Sequence, residues 1–407
     1  MHVILVEPRF PANQRQFVRG LREVGARVTG IGEAPPEALG EELLGLLHGY
    51  EQVPSVCHEE SMLEAVRRVQ GRGRVDRLEA TVEAHILPVA RVREEAGIPG
   101  TTVRTAFLCR DKPAMKEALR DAGVATARST GAGSADAVRR FAAEVGFPLI
   151  LKPRRAAGAA GTFRADDAES LERAMAECGA DRGAPVAVEE FVEGHEGFYD
   201  TLCVDGKPVH DFVSHYYPNV LEAMRTRWIS PQIVVTNRMD AAGYGELKDM
   251  GARVIRHLGI GTSATHMEWF FGPKGLRFSE IGCRPPGVGV WDLYSAANDF
   301  DLYREWAAAV ALGRTTQPPS RRFSAGMVAL RPDRDGRITG YEGADAILDR
   351  FREWILDAHL PPAGTPTQPV EGGYMANAWV RMRHPDYDAL LGMMDFVGRN
   401  LKVRAGG

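Results

Sequence analysis

The segment from His2 to Ile31 constrains the fold more than any other part of the chain. His2 to Glu7 (HVILVE) is a short apolar run that reads as a buried strand. From about Asn13 to Val24 the apolar residues recur at helical spacing and stop at Gly25, after which Ala26 to Ile31 reads as a second strand. A strand, helix, strand order predicts a parallel sheet, because parallel neighbours need a crossover connection. The loop after the first strand, EPRFPANQ, contains no glycine. Its backbone cannot approach a pyrophosphate closely, so no dinucleotide site is expected there.

A chain of 407 residues is long enough for several packed units. Arg74 to Leu78 and a helix ending near Gly97 continue the alternation, and IPGTT then marks a first boundary. RDKPAMKEALRDAGV follows as a helix, with Asp111 as N-cap, Met115, Ala118, Leu119 and Ala122 as its apolar stripe, and Gly123 as its stop. FPLILKP and VAVEEFV read as strands, and GFYDTLCV and PVHDFVS as a hairpin across Asp205-Gly206-Lys207. PNVLEAMRTRWISPQ fits no element. The expected units are residues 1–103, 104–192, 193–314 and 315–407, the last entered through the linker TTQPPSRR.

The net charge of -4, with acids and bases scattered, gives no electrostatic reason to expect a nucleic-acid or membrane partner. Five cysteines without a CxxC pair support neither a disulfide framework nor a zinc knuckle. No apolar run approaches the roughly 18 residues that span a bilayer, and MHVILVEPRF is too short an apolar run for a secretory signal. A cytoplasmic setting is expected.

The strongest chemical inference comes from ATHMEWFFGPKGLRFSEIGCR. Gly272-Pro273-Lys274-Gly275 suits a type I turn closed by a left-handed glycine, giving a three-residue loop. In that register Phe270 faces Phe278, Glu268 faces Glu280, His266 faces Gly282 and Ala264 faces Arg284. Two carboxylates with β-carbons roughly 5 Å apart repel unless a positive group lies between them. Oxygen ligands suit Mg²⁺ or Mn²⁺ better than zinc. A solvated hairpin face would show the same residues, and a two-residue turn would put the acids on opposite faces.

With these residues in view, SEIGCRPPG resembles the metal-binding end of the ATP-grasp ligases. RDKPAMKEALRDAGV is similar to that family's first lysine helix, FPLILKPRRAAGAAG to its second lysine and phosphate loop, and VEEFVEGHE to its adenine hinge. The likeness runs over roughly residues 1 to 310. It implies an α/β chain: a Rossmann-like N-terminal domain, a two-lobed ATP-grasp fold and a C-terminal α+β subdomain. It implies ATP as cofactor with Mg²⁺ or Mn²⁺. Lys112 and Lys152 would contact the phosphates, and the loop Ala156 to Gly161, with Ala157, Gly158 and Gly161, would close over them. Glu189 and Glu190 would lie at the adenine edge, Phe191 and Val192 would supply the hinge backbone, and Glu196 would bind ribose. Glu268 and Glu280 would hold the metal, and Arg284 would stabilise the acyl phosphate. Gly282 stands where many members carry asparagine, which puts the second metal's geometry in question.

The implied activity is an ADP-forming ligation of a carboxylate to an amine through an acyl phosphate, with small-molecule substrates, an amino acid or small peptide for preference. The resemblance is compatible with a homodimer. Two alternatives stand beside it: a bicarbonate-activating carboxylase or purine-pathway ligase of the same fold, and an ATP-binding regulatory protein without turnover. No GxxxxGK[ST] occurs, and GIGTSA follows a helix and precedes a strand, the reverse of the dinucleotide order. The aromatic and arginine-rich segment His215 to Arg238 is expected to set substrate specificity, and Glu83 is a further candidate for amine binding.

Overall fold

The computed structural model describes residues 1–154 and 161–406. His2–Val6 and Arg27–Gly32 pair in parallel, flanked by Gly49–Gln52 and Arg77–Glu79, also parallel. His2–Val6 is buried along its whole length, as a strand covered on both faces must be. The crossover helix Gln14–Glu23 docks on the helix Leu302–Leu312. The two meet at Gly20, where a β-carbon would fall 2.7 Å from the carbonyl oxygen of Tyr303. Only a glycine permits that approach. Phe17 then packs edge-on against Tyr303 and Trp306, each at 4.9 Å between ring centroids. A contact so far apart in sequence sets the N-terminal sheet beside the rest of the molecule.

A second, antiparallel sheet has the order Ser129–Ala132, Val186–Glu190, Leu149–Pro153, Phe163–Ala165. The helix Lys112–Asp121 lies beside it. Asp111 caps that helix by accepting from the Ala114 N–H at 3.1 Å, and Pro113 occupies its first turn, where a missing N–H costs nothing.

The third sheet has eight antiparallel strands in the order Gly275–Gly282, Ser263–Gly272, His195–Val204, Lys207–Tyr217, Gln232–Val235, Ser324–Leu330, Ala378–His384, Ile355–His359. Its last three strands belong to the C-terminal unit, which therefore extends this sheet. Within the unassigned segment lies a short helix, Val220–Ala223, and the strand Gln232–Val235 begins at its last residue. Among the described residues no helix is long and apolar enough to cross a membrane.

The acidic hairpin differs from the expected register at its turn. Gly272 pairs with Gly275, so the loop is two residues long, and Phe270 faces Arg277 where Phe278 was expected. Two-residue spacing alone would send the acids to opposite faces. A bulge at Ser279 restores them: Trp269 pairs with Phe278, then Glu268 with Glu280 and His266 with Gly282. One inserted residue cancels the one-residue shift.

Candidate functional site

Between the second and third sheets lies a cavity of about 530 Å³. Lys112 and Lys116 reach it from one helix, Lys152 and Glu189 from the small sheet, and Glu268 and Glu280 from the hairpin. Lys112 Nζ stands 3.2 Å from Glu280 Oε2, and Lys152 Nζ stands 4.0 Å from the same oxygen. Glu189 Oε2 bridges Lys152 at 3.0 Å and Lys116 at 2.7 Å. Three ammonium groups and three carboxylates thus share one wall, with cations interleaved between the acids.

The titration of these groups follows from burial and from that interleaving. Burial lowers Lys116 to about 8, although Glu189 pulls the other way. Burial would raise Glu189, yet Lys116 and Lys152 bring it down to about 2. Lys152 is disfavoured by burial but ends above its ordinary value because Glu189 and Glu280 face it. Glu280 is likewise pushed up by burial and carried below its ordinary value by Lys112 and Lys152. Glu196, pushed up by burial and then by Glu268, rises to about 8.

Phe191 and Val192 line the same cavity, and Glu190 is held there by Lys274 at 3.2 Å. Arg164 lies 4.2 Å over the Phe191 ring. Glu196 accepts from the Val220 N–H at 2.7 Å, so its position is fixed by the short helix that follows. Gly161 has φ +67. Ala157 and Gly158 lie outside the described residues.

Two carboxylates facing each other, their charge answered by lysines, form a donor set suited to Mg²⁺, which binds through one or two carboxylates plus substrate phosphates. No cluster of three or more His, Cys, Asp or Glu fit for a metal occurs among the described residues. Glu268 and Glu280 do not form a metal cage by themselves.

A second cavity, of about 1090 Å³, lies between the Pro11–Arg19 region and residues 284–303. A small cleft lies between the two cavities. Lys112 and Glu280 line both the cleft and the smaller cavity, while Glu83 and Arg284 line both the cleft and the larger one. Arg284 Nε donates to Glu83 Oε2 at 2.8 Å. Glu83 is thus held by an arginine through one oxygen while lining the larger cavity.

Sequence reasoning missed Lys116, Asp200 and Tyr294. Lys116 falls four residues after Lys112 and next to Met115 on the buried side of the helix, a position that could have marked it. His266 Nδ1 is 2.8 Å from Asp200 Oδ1, and Asp200 Oδ2 accepts from the Tyr294 hydroxyl at 2.7 Å. Burial would lower His266, but Asp200 raises it to about 9. Asp200 and Tyr294 are 94 residues apart, beyond any local pattern.

Of the segment His215 to Arg238, Asn219, Val220, Leu221, Glu222, Arg225 and Thr226 line the smaller cavity. Arg227 pairs with Asp335 at 2.6 Å, Trp228 is 87% exposed, and none of the segment lines the larger cavity. His215 is buried, with Nδ1 2.9 Å from His195 Nε2 and Nε2 2.8 Å from the Tyr244 hydroxyl. Its other neighbours are the rings of Tyr217, Trp269 and Tyr387. Burial, then His195, lowers it from 6.5 to about 3. Its contribution to stability is therefore complete above pH 6.5 and is lost as pH falls toward 3, because the unfolded chain takes up the proton first. Urea unfolding across that range is expected to show a slope about 1.4 kcal/mol per pH unit steeper than in His215→Phe; equal slopes would contradict the assignment.

Two antiparallel lobes closing on lysines and facing acids, beside a parallel N-terminal sheet, define the ATP-grasp fold. Comparison with known proteins agrees: residues 117–300 match the ATP-grasp domain family, and the chain carries an ATP-grasp domain. It is 25% identical over 320 residues to the carbamoyl phosphate synthase large chain of Rubrobacter xylanophilus, covering 75% of this chain and 29% of that one. It is 25% identical over 235 residues to the alanine–anticapsin ligase of Bacillus subtilis (strain 168), covering 52% and 48% respectively. The chain thus spans less than a third of the first relative and about half of the second. It superposes on the L-amino acid ligase from Bacillus licheniformis with a TM-score of 0.77 and 15% identity, covering 100% of this chain and 99% of that one.

Proposed function

We propose that this chain is an ADP-forming carboxylate–amine ligase acting on an amino acid or small peptide. The observation that carries this reading is the small cleft between the two cavities, lined by Lys112 and Glu280 of the smaller one and by Arg284 and Glu83 of the larger one. A γ-phosphate in the smaller cavity and a carboxylate in the larger one would come together there.

In this reading Lys112 and Lys152 hold the phosphates as charge-assisted donors. Glu189 Oε1 is buried without a partner among the described residues, which suits the exocyclic amine of adenine. The backbone at Phe191 and Val192 would complete the adenine edge, and Glu196 would reach the ribose. Ala157, Gly158 and Gly161 belong to the segment expected over the phosphates. Glu268 and Glu280 would hold Mg²⁺, which supplies charge neutralisation at the phosphates.

The reaction proceeds by attack of a substrate carboxylate oxygen on the γ-phosphorus, with cleavage of the bond to the β-phosphate oxygen and departure of ADP. The amine nitrogen then attacks the acyl carbon, phosphate leaves, and the nitrogen loses a proton. Arg284, anchored by Glu83, would meet the negative charge that develops on the acyl oxygen. Bicarbonate would fill little of a cavity of about 1090 Å³, which favours the larger substrates. Residues 1–103, with Met375 and Arg381 from residues 315–407, would then face residues 284–303 across the substrate cavity.

The test is ADP release by the purified protein with Mg²⁺-ATP and amino acids, singly and in pairs. Release that requires a particular amino acid or pair supports the proposal. Release driven by bicarbonate alone, or bound ATP with no release on any substrate, defeats it.

A further inference from the structure

The larger cavity contains an arginine whose hydrogen-bonding capacity is only partly used. Arg381 sits on the strand Ala378–His384 and lines this cavity while being 7% exposed. Its Nη1 donates to Asp292 at 3.0 Å and to Asp357 at 3.3 Å. Nε is buried with no partner, and Nη2 takes none among the described residues. Those two nitrogens form the side-on fork of a guanidinium, the pair of parallel donors that matches a carboxylate. Leaving such donors unmade inside a protein is costly unless something arrives to accept from them.

The surroundings hold this fork in place. The guanidinium carbon lies 4.4 Å over the Trp379 ring, and Gly289 leaves room for it on another side. A β-carbon at Gly289 would fall 2.0 Å from Nη2, and the residue has φ +65. The helix Val290–Asn298 starts directly after this glycine, so its positive end faces the same space.

The acids of the cavity are already engaged. Asp292 accepts from Arg381 and from the Tyr303 hydroxyl, Asp299 from Arg383, Asp301 from Arg19, and Glu83 from Arg284. Each of these acids faces an arginine, whereas the Nε and Nη2 side of Arg381 faces no acceptor among the described residues, and the complement of that side is an anion. Arg284 also lines the cleft at Lys112 and Glu280, whereas Arg381 does not. The two arginines serve different ends of a ligand.

We propose that Arg381 recognises the free carboxylate of the amine substrate, so that the acceptor is an amino acid or a peptide and not a simple amine. This rests on the ligase reading for the identity of the acceptor. The C-terminal unit then has a defined role, which is to bring a specificity residue to a cavity built by the other units.

The experiment holds one amino acid fixed and saturating as the carboxylate donor and compares L-amino acids with their amides as acceptors, on the unmodified protein and on Arg381→Met and Arg381→Lys, by thermal-shift titration and by KM in ADP release. Amino acids are expected to act at concentrations about ten-fold or more below those of the amides. In Arg381→Met that preference disappears through a rise in KM for the acid, with KM for ATP unchanged, and Arg381→Lys restores part of it. Equal action of acids and amides on the unmodified protein, no action of either, or a preference retained in Arg381→Met overturns the proposal. The acid–amide comparison stands whether or not the variants fold. A preference seen in binding and lost in Arg381→Met, without ADP release, supports the role of Arg381 while defeating the ligase reading.

Discussion

Glu280→Gln is expected to lower ADP release by about 10³-fold while leaving ATP binding within about three-fold of the parent. Glutamine keeps the shape of the side chain and removes its charge. Glu280 lies directly across from Glu268, 3.2 Å from Lys112 and 4.0 Å from Lys152. In the proposed reaction its charge helps hold the ion that offsets negative charge as the γ-phosphoryl group moves. The two lysines would still attract the phosphates once the acid is neutral, so the loss should fall on turnover and not on binding. The measurement is steady-state ADP release alongside direct ATP titration. Turnover within about ten-fold of the parent would show that Glu280 does not meet the reacting phosphate.

Lys116→Met is expected to destabilise the fold by about 3 kcal/mol, and adding Glu189→Gln to recover most of that loss. Lys116 is 1% exposed and pairs with Glu189 at 2.7 Å. Removing only the lysine leaves a buried carboxylate with Lys152 as its remaining cation, while neutralising both partners removes the uncompensated charge. Urea unfolding of the two single variants and the double variant measures the coupling directly. Additive losses would mean that Lys116 matters for its packing and not for its charge.

Several parts of this architecture were legible in the sequence because they depend on short-range periodicity. The apolar run at His2, the helix closing at Gly25 and the following strand together implied the parallel sheet. The Asp111 cap and the Met115 and Leu119 stripe identified the lysine helix. The facing acids were also found, although by a register that was right at Glu268 and wrong at the turn. A two-residue loop and a bulge at Ser279 shift the pairing in opposite directions, and the sequence offers no local mark for the bulge.

By itself the sequence determined the first strand, helix and strand, the lysine helix, and the strands that carry Lys152, Glu189, Glu268 and Glu280. Those properties follow from side-chain spacing and backbone preference over a few residues. Only the tertiary structure decided that Lys116 neutralises Glu189, that Glu83 orients Arg284, and that Arg381 reaches the larger cavity. Glu83 and Arg284 are 201 positions apart, and Arg381 and Asp292 are 89 apart. Such pairs form because sheet order and helix docking bring distant strands together, and a buried charge then requires whichever opposite charge the fold has placed beside it.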